Sequence, residues 1–184
     1  MSGGFSKAIS CEGSSTAGNG LLLFDDKQVA LFCYLHDCSV NGALLRSHGA
    51  QVLFSILETC TTAGLNTYFP AASYVSLMML NNTIYNCGIG IYGHASFLCS
   101  FVNNIINACT VGAEWTTQQD SNIWINNNLE GNGTKLINVA TALPHSDWLE
   151  TAVDPLFADD AGGDFSLLSG SDCKNAGLAI ALGV

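Results

Sequence analysis

The sequence predicts an all-β fold, a right-handed parallel β-helix with coils of about 22 to 27 residues. Three observations lead to this prediction. Cysteines recur along the chain, an aliphatic residue lies three positions before each of them, and a glycine follows three or four positions after. Stacked β-coils require such a repeat, because each coil buries its inner face only against its neighbours.

The repeating cysteines set the alignment of the coils. They are Cys38, Cys60, Cys87 and Cys109, at intervals of 22, 27 and 22 residues. The aliphatic positions are Leu35, Leu57, Ile84 and Ile106, and the glycines are Gly42, Gly64, Gly90 and Gly112. We expect the cysteines and the aliphatic residues to face the core. Cys11 is aligned with the same cysteine column, and a weaker last copy spans residues 122–137.

Small or amide residues recur five positions before the cysteines, as Cys33, Ser55, Asn82 and Asn104. Identical residues on adjacent coils lie about 4.8 Å apart along the axis of such a fold. Asn82 and Asn104 are therefore expected to form an asparagine ladder at a turn. Leucine-rich repeats have a similar length, but their LxxLxLxxN frame is missing, which places that alternative behind the β-helix.

The chain is expected to form a single β-helix domain. An N-terminal coil or cap would span residues 1–26, the central coils residues 27–141, and a C-terminal coil and cap residues 142–184. No basic and apolar leader is recognisable at the N-terminus, so we expect cytoplasmic synthesis without a cleaved signal. No run of about 18 apolar residues predicts a membrane span.

Charge and cysteine usage exclude several functions. Charged residues make up only 11% of the chain, and the formal net charge is −10, which is unsuited to binding the phosphates of nucleic acid or an anionic membrane. The eight cysteines are expected to be free thiols. No CxxC pair is present, so a zinc site is not expected, nor is any other metal or cofactor.

Two segments carry a family resemblance. NNTIYNCGIGIY (81–92) and NNIINACTVG (103–112) resemble the parallel β-helix repeats of the pectate-lyase-like superfamily. DPLFADDAGGDFSLLSGSDCKNAG (154–177) is similar to the closing coil of many bacterial and phage β-helix proteins. The resemblance implies the architecture, whereas the superfamily includes lyases, hydrolases, tailspikes and non-catalytic virion proteins, so it implies no single activity.

The catalytic sets of the resembling enzymes are incomplete in this chain. Arg46 is the only arginine, in GALLRSHG, and no stacked acids accompany it as a lyase would require. Asp25-Asp26, Asp159-Asp160 and Gly93-His94 match only fragments of the hydrolase set. We therefore expect no catalytic residue, with Asp159-Asp160 as an acidic surface turn and His94 and His145 in structural roles.

One weak alternative site lies in the columns next to the cysteines. His36, Asp37 and Glu58 would lie on adjacent coils, where a histidine beside two carboxylates could act as an acid-base site. A solvated strand face is the preferred interpretation, because no further ligand type recurs there.

Two adjacent apolar columns predict an interface. They are Ala30, Val52, Met79, Phe101 and Leu31, Leu53, Leu80, Val102, and only one of them can face the core. The outer column would need a cover. If Leu31, Leu53, Leu80 and Val102 are outside, they form the interface with Phe32 and Phe54. A homotrimer is the favoured cover, and a capsid or tail scaffold protein is the competing one.

Aromatic residues for sugar stacking are also available. The candidates are Tyr68, Phe69, Tyr74, Tyr92 and Trp115. They were weighed against loop packing, which is a common role of such residues. The favoured function is a non-enzymatic, oligomeric structural or binding protein of a virion or other extracellular assembly, with possible glycan binding. The alternative is a small polysaccharide-active enzyme.

Overall fold

The computed structural model describes residues 7–68, 73–74, 76–94, 96–119, 122–139 and 153–177, with the backbone alone at 73–74, 96–97 and 118–119. The strands are short because each coil turns sharply after three to five residues on most sides. In chain order they are β1 (Lys7–Ile9), β2 (Glu12–Ser15), β3 (Leu21–Leu23), β4 (Val29–Leu31), β5 (Tyr34–Cys38), β6 (Asn41–Leu45), β7 (Gln51–Leu53), β8 (Ile56–Glu58), β9 (Ala63–Thr67), β10 (Ser73–Tyr74), β11 (Met78–Leu80), β12 (Thr83–Tyr85), β13 (Ile89–Gly93), β14 (Ser96–Phe97), β15 (Ser100–Val102), β16 (Ile105–Asn107), β17 (Val111–Gln119), β18 (Ile123–Ile125), β19 (Thr134–Val139), β20 (Phe157–Asp159) and β21 (Asp164–Leu167), with a 3-10 turn at Asp160–Gly162.

The strands form three parallel sheets that share every coil. The first sheet has the order β1-β4-β7-β11-β15-β18, the second β2-β5-β8-β12-β16, and the third β3-β6-β9-β13-β17-β19. In the last coil the second sheet is reduced to a single bridge between Ile105 and Asn128. The predicted parallel β-helix is confirmed. In the described part of the chain, no helix has the length and apolar character needed to cross a membrane.

The core contains the columns that the repeat predicts. Leu35, Leu57, Ile84 and Ile106 pair in register along the second sheet and are buried. Cys38, Cys60, Cys87 and Cys109 are buried beside them, as free thiols. Cys11 does not belong to that column, because the N–H of Tyr34 bonds to the Cys11 carbonyl at 2.8 Å and Ser15 pairs with Cys38. The longer first coil therefore shifts Cys11 into the Cys33 position.

The first sheet settles which apolar column faces inward. Ala30, Val52, Met79 and Phe101 are fully buried and in register. The neighbouring column is outside the core, but it is not a continuous exposed stripe. Leu80 and Val102 are only 6% and 8% exposed within the single chain, and Leu31 and Leu53 are half-buried. Leu80 and Val102 are therefore corrected from interface candidates to buried residues.

A left-handed backbone residue ends each strand of the first sheet. This position holds Ser10, Phe32, Phe54, Asn81, Asn103 and Asn126, with φ between 50° and 56°. It turns the chain so that the next residue enters the core, which explains the buried Cys33, Ser55, Asn82 and Asn104. Asn and Ser tolerate this conformation, whereas a bulky side chain there is an outlier. Phe32 is nevertheless 56% exposed, with its ring 5.4 Å from that of Phe54.

The asparagine ladder at this turn is confirmed. The Nδ2 of Asn82 donates to Oδ1 of Asn104 at 2.9 Å, and Asn104 donates in turn to Asn127 at 2.8 Å. The backbone carbonyls of Val52 and Met79 accept the second amide hydrogens. The ladder is thus one residue longer than the aligned repeat predicts, and it satisfies the amides inside a low-dielectric core.

The C-terminal segment packs on the outside of the second sheet. β20 and β21 form an antiparallel hairpin, and the rings of Phe157 and Phe165 contact Tyr85 at 6.0 and 5.2 Å. The Tyr85 hydroxyl donates to Asp160. Further along, the Nδ2 of Asn128 donates to the Val153 carbonyl at 2.9 Å. The segment therefore covers the later coils and leaves the outer face of the third sheet to other contacts.

Candidate functional site

A row of functional side chains lies at the end of the third sheet. Leu23, Leu45, Thr67 and Gly93 pair in register, and the residues that follow them are Phe24, Arg46, Tyr68 and His94. The ladder continues through these four residues, because the backbone N–H groups of Arg46, Tyr68 and His94 bond to the previous coil at 2.8, 3.0 and 2.9 Å. Leu45 faces the core, so the following residue faces outward. We call Phe24, Arg46, Tyr68, His94 and the nearby Tyr92 the aromatic–arginine row.

The members of the row contact one another in sequence. The guanidinium carbon of Arg46 lies 5.8 Å from the ring centre of Phe24 and 5.1 Å from that of Tyr68. The edges of Tyr68 and Tyr92 each meet the His94 ring, with centroids 4.9 Å apart. Phe24 and Tyr68 are 61% and 38% exposed, which leaves aromatic surface open for a ligand.

Electrostatics make the row unusual for this acidic protein. Arg46 is exposed and has no ion pair among the described residues. Burial lowers the pKa of His94 from its ordinary value, so its imidazole is neutral at pH 7 and has an accepting nitrogen. Beneath the row, Oδ1 of Asn66 is buried without a hydrogen-bond partner in the described part of the chain. A cation, a neutral imidazole and an unsatisfied acceptor thus share one face.

The second sheet brings together the other predicted cluster and enlarges it. His36 bonds through Nδ1 to Asp37 at 2.9 Å and through Nε2 to Glu12 at 3.2 Å. The ring of Tyr34 stacks on that of His36, 4.5 Å away, and its hydroxyl donates to Glu58 at 2.5 Å. Glu12 and Tyr34 were missed from the sequence, because the coil that carries Glu12 has an irregular length.

The protonation states of this second cluster oppose acid-base catalysis. Hydrogen bonding to Asp37, and then to Glu12, raises the pKa of His36, and both ring nitrogens can donate only in the protonated form. Burial, together with the bond to Glu58, raises the pKa of Tyr34 to about 12. The bond to Asp160 raises that of Tyr85 to about 12. The cluster therefore links coils through a cationic histidine and neutral phenols and provides no free base at neutral pH.

The comparisons with known proteins agree with this architecture. The family model of the right-handed β-helix region matches residues 1–146. The chain belongs to this family. The sequence has no significant match among curated proteins. Among solved structures, the periplasmic alginate epimerase AlgG matches with a TM-score of 0.61 and 15% identity, over 74% of this chain and 37% of that one. The alignment thus spans little more than a third of AlgG, and at this identity it shows the fold alone.

The structure separates the sugar-stacking candidates of this β-helix. Tyr68 and Tyr92 meet in the aromatic–arginine row. Trp115 is wrong as a candidate, because it is 1% exposed and packs in the core against Phe101 and Trp124 at 5.4 and 5.6 Å. Phe69 and the side chain of Tyr74 lie outside the described residues.

Other sequence candidates also have defined places. Asp159 accepts from the N–H of Gly162 at 3.1 Å and caps the 3-10 turn, while Asp160 binds Tyr85. This pair is therefore a structural turn, as expected. Asp25 and Asp26 lie in the turn after β3, and Oδ1 of Asp26 accepts from the His48 N–H at 3.2 Å. His145 lies outside the described residues.

The described residues give no arrangement for a metal ion. Within those ranges, no group of three or more His, Cys, Asp or Glu side chains is placed to hold one. The buried thiols of the cysteine column contact one another, and burial and its thiol neighbours raise the pKa of Cys87. We interpret the column as small core side chains that fit between the coils.

Proposed function

We propose that this β-helix acts on an acidic polysaccharide at the aromatic–arginine row, by removing a carbon-bound proton next to a sugar carboxylate. The observation that carries the proposal is the contact of Tyr68 with both the guanidinium of Arg46 and the neutral ring of His94. A carboxylate-binding cation and a proton acceptor are thereby held on one face of the sheet.

Arg46 supplies the recognition of an acidic sugar. Its guanidinium presents several donors in a plane, a geometry that matches a carboxylate in two parallel hydrogen bonds. Tyr68 and Phe24 flank it and offer ring faces for the apolar side of a sugar. Arg46 and His94 lie two coils apart, or about 10 Å between backbones, which a bound sugar unit and the two side chains can span.

The chemistry follows from charge and protonation. A carboxylate acidifies the hydrogen on the adjacent carbon, and the free nitrogen of neutral His94 can accept it. The electron pair left behind spreads into the carboxylate, where Arg46 stabilises it. Return of a proton to the opposite face inverts the carbon. Departure of the neighbouring glycosidic oxygen, with a proton from Tyr68 or Tyr92, instead gives an unsaturated sugar.

The fold similarity supports the same class of ligand, since the matched structure is described as an alginate epimerase. Fold alone transfers no activity, so the proposal depends on the row. The second candidate is binding without catalysis, which the exposed rings of Phe24 and Tyr68 favour. The homotrimer, the virion location and a scaffold partner remain predictions.

Binding and exchange measurements test the proposal. Alginate and polygalacturonate are titrated calorimetrically, and exchange of the hydrogen next to the carboxylate is followed by NMR in deuterated water. Arg46→Ala should weaken binding roughly ten- to a hundredfold, the loss of about 1.5 to 3 kcal/mol from charged hydrogen bonds. His94→Gln should retain binding and reduce exchange roughly a hundredfold or more.

Lys135→Ala is the matched control, because it removes one cation from the last strand of the same sheet, where Lys135 pairs with Glu130. It should leave both readouts unchanged. Binding that depends on Arg46 without any exchange would establish the non-catalytic candidate. No binding of either polymer, or equal loss in both cation variants, would reject the proposal.

A further inference from the structure

A separate cleft lies between the coils and the C-terminal segment. One wall is the turn after the first sheet, with Asn81, Asn103 and Asn126, and the other is formed by Leu167, Cys173 and Gly177. Its volume is about 240 Å³, below the ~300–1,000 Å³ of pockets for drug-sized ligands. The cleft is on the opposite side of the coil from the third sheet, so it does not belong to the aromatic–arginine row.

The coil wall presents amides at a fixed spacing. Asn81, Asn103 and Asn126 occupy the left-handed turn position on three successive coils, and strands of adjacent coils lie about 4.8 Å apart. The buried ladder of Asn82 and Asn104 lies directly behind them and fixes the turns. The Asn81 carboxamide is half-exposed and has no partner within the described ranges.

The lining also determines the charge of a ligand. It consists of amides, a threonine hydroxyl, a thiol and aliphatic groups, with no carboxylate, lysine, arginine or histidine. The Cys173 thiol is held at the cleft by the Nδ2 of Asn128 at 3.0 Å, and burial raises its pKa, which keeps it neutral at pH 7. A charged ligand would have no counter-charge here, whereas amides both donate to and accept from hydroxyl groups.

We propose that this cleft binds a single neutral sugar ring, with Asn81 as a principal hydrogen-bonding residue. The amide row would meet the hydroxyl groups on one edge of the ring, and Leu167 and Ile105 would contact its carbon-bound hydrogens. This site is independent of the proposed function, because it contains neither a base nor a cation.

Cys173 gives a direct readout of occupancy. Alkylation by iodoacetamide is followed by mass spectrometry, with the exposed Cys11 as an internal reference in the same sample. The probes are the methyl glycosides of glucose, mannose and galactose, and galacturonate serves as the charged comparator. At about ten times the Kd of a binding sugar, labelling of Cys173 should slow about tenfold while that of Cys11 is unchanged.

Three variants make the result specific. Asn81→Ala should abolish the protection. Asn86→Ala, at an exposed left-handed turn outside the cleft, should retain it, and so should Arg46→Ala from the aromatic–arginine row. Failure of all three neutral glycosides to protect Cys173, equal protection by galacturonate, or full protection in Asn81→Ala would each overturn the proposal without affecting that for the row.

Discussion

Asn104 lies one coil beyond Asn82, and its Oδ1 accepts hydrogen bonds from both the backbone N–H and the Nδ2 of Asn82, at 3.0 and 2.9 Å. Replacing Asn104 with alanine leaves these two buried donors without an acceptor. Each unsatisfied group costs about 1 to 3 kcal/mol, so Asn104→Ala should lower the free energy of unfolding by about 3 kcal/mol in urea titrations. Asn86→Gly, at an exposed turn with φ of 52°, should be nearly neutral.

Gly90 lies where two coils approach most closely. A Cβ at this position would overlap Cγ2 of Ile106 and the carbonyl oxygen of Gly112 on the next coil. Gly90→Ala should destabilise the protein by about 1 to 3 kcal/mol, the usual cost of overpacking. Gly170→Ala is the control, because its nearest neighbour, Cδ1 of Leu156, is 4.0 Å away. Equal thermal midpoints for the two variants would contradict the packing argument.

His36 should make the protein more stable at low pH than its glutamine variant. The folded-state pKa is raised by Asp37 and Glu12, with Tyr34 stacked on the ring. Its stabilisation is therefore complete below the unfolded value of about 6.5 and is lost as the pH rises through the folded value. Urea titrations should show a stability difference between wild type and His36→Gln at about pH 5 that shrinks by about pH 9. A constant difference would exclude the ion pairs as its cause.

His94 should show the opposite dependence. Burial lowers its pKa, so its contribution to stability is present above the unfolded value and is lost as the pH falls through the folded one. In the proposed reaction, the acid limb of kcat/KM should then lie below about pH 6.5, the ordinary value for histidine. An acid limb above that value would assign the titration to another group.

Self-association remains a prediction and now centres on Phe32. Asparagine occupies the same turn position at Asn81 and Asn103, so Phe32→Asn keeps the left-handed backbone and removes the exposed ring. This variant should stay folded, and its mass by light scattering should fall from that of a trimer to that of a monomer. Leu80→Lys should instead destabilise the chain, because Leu80 is buried. A wild-type protein that is monomeric at high concentration would refute the prediction.

Most of the fold could be predicted from the sequence because stacking repeats the same environment on every coil. The columns of Leu35 and Cys38 followed from the intervals alone. Trp115 was misjudged because its burial depends on Gly93, which pairs with it one coil earlier and provides the space for the indole. The interval of 22 residues between these two positions was a usable signal.

The candidate site was harder to predict, since its members are chemically different. Phe24, Arg46, Tyr68 and His94 occupy one position on four coils, and no residue type recurs there. Only the register of the third sheet reveals the row. Tyr68 and Tyr92 were predicted as ligand-binding aromatics, whereas Arg46 and His94 were set aside because each is isolated in the sequence. The partial burial of the outer column at Leu80 depends on tertiary packing that periodicity does not reveal.

The longer interval between Cys60 and Cys87 places its extra residues in the connection from β9 to β11, immediately after Tyr68. Lengthening a connection of this kind costs little, about 0.6 kcal/mol for each doubling, and leaves the register of the stacked strands intact. Natural variation can therefore insert or delete residues beside the aromatic–arginine row while the scaffold is inherited unchanged. Homologous chains would then diversify in ligand preference through the length of this one connection.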